Sequence, residues 1–301
     1  MTEGIDIVEV GLRDGFQGIS PFIPTQQKIE FMHRLHAAGI RRMEITSFVN
    51  VDAVPQLSDA SALLDAARQM DGLIHQVLVP NARYGQKALE AGADFLAFVV
   101  SVSDAHNRSN VRRSPNESAR EYCDLVETLA AGMSVRLNLA TAFDCPFEGR
   151  VSSERVLELL DILVGAKQNA EICLCDTTGK ATPDQVKSLF TIVMDRYPAV
   201  TKWAMHTHDT YGLGVANAFA AFESGVRVLD AAFAGLGGCP FAPGATGNTA
   251  TEDLVWLCER MGVRTGINLD SLVDVALSGA RIPGGNPGGR VRLALPPNRR
   301  S

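Results

Sequence analysis

Short runs of β-branched and aliphatic residues alternate along the chain with longer stretches whose apolar positions recur at helical spacing. The runs are Ile5–Val10, Met43–Ser47, Ile74–Val79, Phe95–Ser101, Val135–Thr141, Glu171–Cys175, Lys202–Thr207 and Val228–Ala234. Most are separated by roughly 20 to 40 residues, the scale of a βαβ unit. Between them, Thr25–Ala38 sets Ile29, Met32 and Leu35 on one helical face, and Gly39 follows as a stop. Ser152–Val164 opens on a candidate cap and presents Val156, Leu159, Leu160 and Leu163, and Thr182-Pro183 starts a further helix with proline at its first position. Repeated strand–helix alternation predicts a parallel sheet, and eight is the number that closes a (β/α)8 TIM barrel. A doubly wound open sheet is the rival, but no Gly-x-Gly-x-x-Gly follows the first run.

Composition narrows the picture. With 301 residues and 46% hydrophobic content the chain can bury a large core, and no Gly-, Pro- or Ser-rich linker divides it. The expected organisation is one catalytic barrel over residues 1–281. A short C-terminal extension, 282–301, is rich in Gly, Pro and Arg and is either loosely ordered or a cover for one barrel end. A net charge of −6 supplies no basic field for nucleic acid or an anionic membrane. No window reaches the roughly 18 to 20 unbroken apolar residues of a membrane span. The start runs directly into the first strand, leaving no room for a signal or transit peptide. Six cysteines, Cys123, Cys145, Cys173, Cys175, Cys239 and Cys258, lack zinc-type spacing and read as reduced thiols, hence a cytoplasmic protein.

Candidate chemistry collects where strands end, the working face of such a barrel. Arg13-Asp14-Gly15 follows the first run; alone it is a solvated turn, at a barrel mouth it can face a ligand. His206 and His208 close the seventh run two residues apart, so both imidazoles can face one point, as a metal grip requires. A lone strand histidine would be a core residue; two at this spacing argue for metal. After the eighth run comes a glycine-rich loop, Ala234 to Asn248, holding Cys239, which reads either as a mobile lid or as a connection with an incidental thiol. Glu44, mid-strand, must be paired if it points inward and is unremarked if it faces solvent. Asp14, His206, His208 and Asn248 would make a mixed oxygen–nitrogen set suited to Mg, Mn or Co rather than a closed thiolate zinc site.

Taken in order, Val8-Glu9-Val10-Gly11-Leu12-Arg13-Asp14-Gly15-Phe16-Gln17, Ser47-Phe48-Val49, Val54-Pro55-Gln56, Cys145-Pro146-Phe147-Glu148-Gly149, Asp176-Thr177-Thr178-Gly179, His206-Thr207-His208-Asp209-Thr210-Tyr211-Gly212 and the Cys239 loop through Gly247-Asn248 resemble the hydroxymethylglutaryl-CoA lyase family. The resemblance spans roughly Ile5 to Leu269. It implies cleavage of a 3-hydroxyacyl-CoA thioester to acetyl-CoA and a keto acid. It further implies that Asp14, His206, His208 and Asn248 hold a divalent cation, Mg or Mn with Co or Zn possible, supported by Glu44. That cation would take the substrate's hydroxyl and carboxylate oxygens. Arg13 would stabilise the enolate, Cys239 would carry a proton, and Asp176 and His206 would shape proton transfer. Gln17, Ser47 and Thr177 join Arg13 as substrate-binding candidates, and a homo-oligomer, dimer or tetramer, is expected.

Phe16 stands where the related Claisen synthases usually carry an acid, and 301 residues leave no room for their further domain, so the resemblance favours lyase over synthase. Gly18-Ile19-Ser20-Pro21, Cys173 and Ser103–Asn110 depart from the lyase pattern where the acyl group or pantetheine would bind. The resemblance therefore carries the chemistry further than the substrate. Another branched 3-hydroxyacyl-CoA or an aldolase substrate keeps the reaction, whereas a catalytically silent interaction barrel discards it.

Overall fold

Eight parallel strands close on themselves: β1 (Asp6–Glu9), β2 (Arg42–Ser47), β3 (Ile74–Val79), β4 (Phe95–Ser101), β5 (Ser134–Ala140), β6 (Glu171–Asp176), β7 (Trp203–Thr207) and β8 (Val228–Ala231), with β8 returning to pair with β1. The computed structural model describes residues 4–130, 132–167, 169–238 and 246–295. Each strand is followed by at least one helix, so the chain is a (β/α)8 barrel. The expected helices lie at Thr25–Ala37, Ser153–Leu163 and Pro183–Arg196. Gly39 stops the first at φ +104°, a conformation costly to any residue with a Cβ. Among the described residues no helix is long and apolar enough to cross a membrane.

Alternation along the strands sorts side chains into two environments. Met43, Ile45, Leu137, Leu139, Ile172, Leu174, Met205 and Leu229 point outward into the main core beneath the helices. Val8, Val10, Cys173, Cys175, Ala204, Val228 and Ala232 face one another in a smaller inner cluster. The rest of the bore is charged. Arg42 on β2 pairs with Glu171 on β6 at 2.7 Å, and Arg136 on β5 with Asp230 on β8 at 2.7 Å. Neither pair of strands is adjacent in the barrel, so both contacts cross its interior.

The eighth run is shorter than its apolar stretch suggests. β8 ends at Ala231 because Phe233–Gly235 coils into a 3-10 turn, with Ala234 at φ +59°. Residues 282–295 return over this end: Gly288 N–H donates to the Ala234 carbonyl at 2.9 Å. The Asp253 carboxylate also accepts from the backbone N–H groups of Arg290 and Val291 at 2.8–3.0 Å.

Candidate active site

The turn after β1 builds the first wall of the site. The Val10 carbonyl accepts from three successive amides, Arg13 (3.1 Å), Asp14 (2.7 Å) and Gly15 (3.2 Å), winding Gly11–Gly15 into a wide π-helical turn. Such widened turns re-aim side chains and are frequent at functional sites. Glu9 locks it from behind. One carboxylate oxygen accepts from Gly11 N–H (2.7 Å) and Phe233 N–H (3.0 Å), and the other from the Thr251 hydroxyl (2.6 Å). Gly11 is required here, since a Cβ would sit 2.6 Å from both Glu9 Oε1 and the Phe233 ring.

At the opposite wall, β7 delivers His206 and the next inward position delivers His208, with ring centroids 5.0 Å apart. Residues 247–249 run antiparallel beside the end of β7. Asp209 N–H donates to the Gly247 carbonyl (2.7 Å) and Thr249 N–H to the Thr207 carbonyl (3.1 Å). That pairing carries Asn248 to His208 across the backbone bridge.

Asp14, His206 and His208 thus converge, each with one ligand atom within 4.8 Å of the others. Asp14 Oδ1 accepts from Gln17 Nε2 (2.9 Å) and from the Arg13 guanidinium, and Oδ2 accepts from Asn248 Nδ2 (2.7 Å). The Asn248 amide also donates to the Leu236 carbonyl at 3.0 Å. Its Oδ1 is buried and has no donor among the described residues. A carboxylate, two imidazoles and an orphaned amide oxygen are a donor set that fits a borderline divalent cation. Burial would raise the Asp14 carboxyl, but Arg13 and the two histidines outweigh it and hold the group well below the usual carboxylate range. It is ionised, as a ligand must be.

Arg13 is held on both sides, by Asp14 and by Glu44, whose Oε1 accepts from the guanidinium Nε at 2.5 Å. Glu44 points inward and is paired, answering the choice its strand position left open. Its second oxygen accepts from Gln76 Nε2 at 2.9 Å. Burial pulls the guanidinium down, yet Asp14 and Glu44 more than compensate and its basicity is raised, so it stays a fixed cation.

Sequence reasoning missed the support behind His206. Its Nδ1 lies 3.1 Å from Asp230 Oδ2, which also accepts from Arg136. A carboxylate can only accept, so Nδ1 keeps a proton and Nε2 is the nitrogen left for a ligand, giving up its own proton when a cation binds. Burial lowers the imidazole, but Asp230, Cys175 and Asp14 together hold it up at about 9. Asp230 had a signal: an acid inside the Val228–Ala234 run, in the same predicament as Glu44.

A cavity of about 360 Å3 opens above these groups; Arg13, Asp14, Gln17, Thr177, His206 and His208 are among its lining residues. Thr177 Oγ1 accepts from Thr141 N–H at 2.8 Å. Ser47 and Asp176 are not brought to this lining. The Ser47 hydroxyl donates to the Leu78 carbonyl at 2.8 Å. Asp176 is wholly buried, and its carboxyl accepts from Ala181 N–H (3.2 Å) and Asn217 Nδ2 (3.3 Å), with burial raising its pKa. Cys239 lies outside the described residues.

Comparison with known proteins shows the family. The HMGL-like family model matches residues 4–277. The mitochondrial hydroxymethylglutaryl-CoA lyase of Mus musculus is 41% identical over 275 residues, covering 91% of this chain and 84% of that protein. The (R)-citramalyl-CoA lyase of Chloroflexus aurantiacus is 42% identical over 284 residues, covering 90% and 88%. A solved HMG-CoA lyase from Acinetobacter baumannii, in complex with coenzyme A and 3-methylmalate, superposes with a TM-score of 0.89 at 37% identity, covering 97% of this chain and 95% of that one. The match runs from the first strand into the helix Leu269–Gly279, and the chain belongs to the HMGL-like family of hydroxymethylglutaryl-CoA lyases and their relatives.

Proposed function

We propose that this chain is a metal-dependent carbon–carbon lyase that cleaves 3-hydroxy-3-methylglutaryl-CoA, or a close analogue, to acetyl-CoA and acetoacetate or another keto acid. The observation that carries the reading is the convergence of Asp14, His206 and His208 beside Arg13, with the Asn248 amide oxygen unpartnered among the described residues. The similarity to both a hydroxymethylglutaryl-CoA lyase and a citramalyl-CoA lyase supports a CoA thioester of a branched hydroxy diacid. The five described cysteines are all free thiols, which suits a cytoplasmic setting.

In this reading Asp14, His206, His208 and Asn248 hold the cation, magnesium or manganese first among those the donor set accepts. When bound, the cation supplies Lewis-acid polarisation of the substrate's hydroxyl and carboxylate oxygens. The residues do the rest. Transfer of the hydroxyl proton to Cys239, acting as thiolate, lets the adjacent carbon–carbon bond break, leaving a keto product and the enolate of acetyl-CoA. Arg13 meets the charge that develops on the thioester oxygen. Because Glu44 and Asp14 fix it beforehand, little reorganisation is needed as the charge forms. Cys239 returns a proton to the enolate carbon. Gln17 and Thr177 orient the thioester at the cavity wall, and Asp176 acts indirectly, tying the Gly179–Ala181 turn beside Thr177.

A panel of 3-hydroxyacyl-CoA thioesters, scored for acetyl-CoA release with added Mg2+ or Mn2+, tests the proposal. Release from the hydroxymethylglutaryl or citramalyl thioester, abolished by chelation, is the expected result. His206→Ala and Asp14→Ala should each abolish turnover and weaken Mn2+ binding. Full activity of either variant after exhaustive chelation would overturn the metal reading, and no release from any thioester would leave an interaction barrel.

A further inference from the structure

Asn138 lies on β5, facing the bore, and lines the same cavity as the Asp14, His206 and His208 cluster. Its Oδ1 accepts from Arg136 Nε at 2.8 Å. A guanidinium nitrogen can only donate, so the carboxamide has a single orientation, with oxygen toward Arg136 and NH2 away from it. No acceptor for that NH2 is found among the described residues, although the side chain is 93% buried (7% exposed). Arg136 in turn pairs with Asp230, and Asp230 with His206. The amide is therefore held in one rigid chain of contacts with a candidate cation ligand.

Depth identifies what meets it. By strand register Asn138 pairs with Cys173, and Cys173 with Ala204, two positions before His206. Because register in a closed, tilted barrel slips by about one residue per strand, the amide stands level with the His206 imidazole, beside the candidate cation site. Coenzyme A cannot fit within about 360 Å3 beside an acyl group and must leave through the mouth. The acyl end of a thioester therefore faces inward, toward Asn138. Of the two cations near it, Arg136 is committed to Asp230, Glu171 and the amide's own oxygen, and Arg13 to Glu44 and Asp14. An uncommitted pair of N–H donors, deep in a cavity and fixed in direction, suits an anionic oxygen acceptor.

We propose that Asn138 is a specificity-determining residue, whose carboxamide recognises the free carboxylate of the acyl group and selects diacid thioesters over monoacid ones. The proposal rests on the lyase reading above and names its substrate class. Binding of 3-hydroxyglutaryl-CoA and of 3-hydroxybutyryl-CoA, which lacks the carboxylate, is to be measured by calorimetry with Mn2+ present, and Mn2+ binding alone is measured in parallel. Asn138→Asp keeps the acceptor for Arg136 and replaces the donors with a repelling oxygen, so the fold is retained. It should weaken 3-hydroxyglutaryl-CoA about 10- to 100-fold, the usual cost of losing a hydrogen bond to a charged group. The hydroxybutyryl thioester and Mn2+ should change by no more than about twofold, within ordinary context scatter. Asn138→Ala, which adds no charge, should lose the preference in the same direction.

Equal weakening of both thioesters, or weakening in step with Mn2+, would show that Asn138 acts only through His206 and overturn the proposal. Unchanged preference in both variants would overturn it as well. Acetyl-CoA release by the wild-type enzyme is scored separately, so a failure of the lyase reading is seen on its own.

Discussion

Asp230 accepts from His206 and Arg136 with the same oxygen, and that oxygen decides which imidazole nitrogen is free. Asp230→Asn tests this. The amide can offer Nδ2 to His206 and so favour the wrong tautomer, whereas the carboxylate cannot. Loss of such a partner commonly costs about 10- to 100-fold in metal affinity. We therefore expect Mn2+ affinity to fall by that factor with a folded protein, and an unchanged affinity would relieve Asp230 of the role. Cys239→Ser belongs to the same scale: if the thiol shuttles a proton, turnover should fall about 10²- to 10⁴-fold while Mn2+ affinity holds. Near wild-type turnover would hand the proton to another group. Sequence patterning reached His206, His208 and Glu44 because strand parity is local. It missed Asp230, Arg136 and Asn138, although each is a polar residue inside an apolar run, because only closure of the barrel shows which partner an inward polar group meets. For Ser47 the resemblance gave a substrate role, and the structure adds only that its hydroxyl donates to the Leu78 carbonyl on the neighbouring strand.

At the level of elements, Glu9 joins three pieces that the sequence keeps far apart: the turn after β1, the turn after β8, and the helix Thr251–Arg260. Seven of the eight strand positions were legible to within one residue at each end, since each apolar run is bounded by polar turns, whereas β8 stops three residues short of its run. The π-helical turn was not, because it depends on the Val10 carbonyl accepting three amides and on Glu9 and Phe233 packing over Gly11. Burial pushes the Glu9 carboxyl up to about 7, its three hydrogen bonds recovering only part of the cost of the charge. With its folded pKa above its unfolded value, Glu9 binds a proton more tightly in the native state. Its contribution to stability is then fully present below about pH 4.5 and is lost as pH rises through about 7. Glu9→Gln removes that dependence. Thermal denaturation of the two proteins from pH 5 to pH 8 should show the variant gaining on the wild type as pH rises. A constant difference in Tm across the range would mean that Glu9 is ionised throughout.

Across the whole molecule, the bore holds a stack of crossed ion pairs beneath the candidate site beside the small apolar cluster of Val8, Val10, Ala204 and their neighbours. Glu171 sits at its centre, meeting Arg42 at 2.7 Å and Arg136 at 3.2 Å, while Arg42 also meets Gln76 and Asp6, and Gln76 meets Glu44. In sequence these residues sit in unrelated strands and read as ordinary polar faces, so nothing local announces that they share an interior. Removing one member of a buried pair leaves an uncompensated charge and costs about 3–5 kcal/mol, whereas replacing both with apolar groups of similar volume is often nearly neutral. Glu171→Leu should therefore lower Tm by about 10 °C, given roughly 2–4 °C per kcal/mol for a chain approaching this size. Arg42→Met combined with Glu171→Leu should recover much of that loss, since Arg136 keeps Asp230 and Asn138. Turnover at 25 °C should survive in both, because the contacts that hold Asp230 to His206 do not pass through Glu171. If Glu171→Leu instead leaves Tm unchanged and abolishes turnover, the stack serves the chemistry directly, and its account as a scaffold beneath the site is wrong.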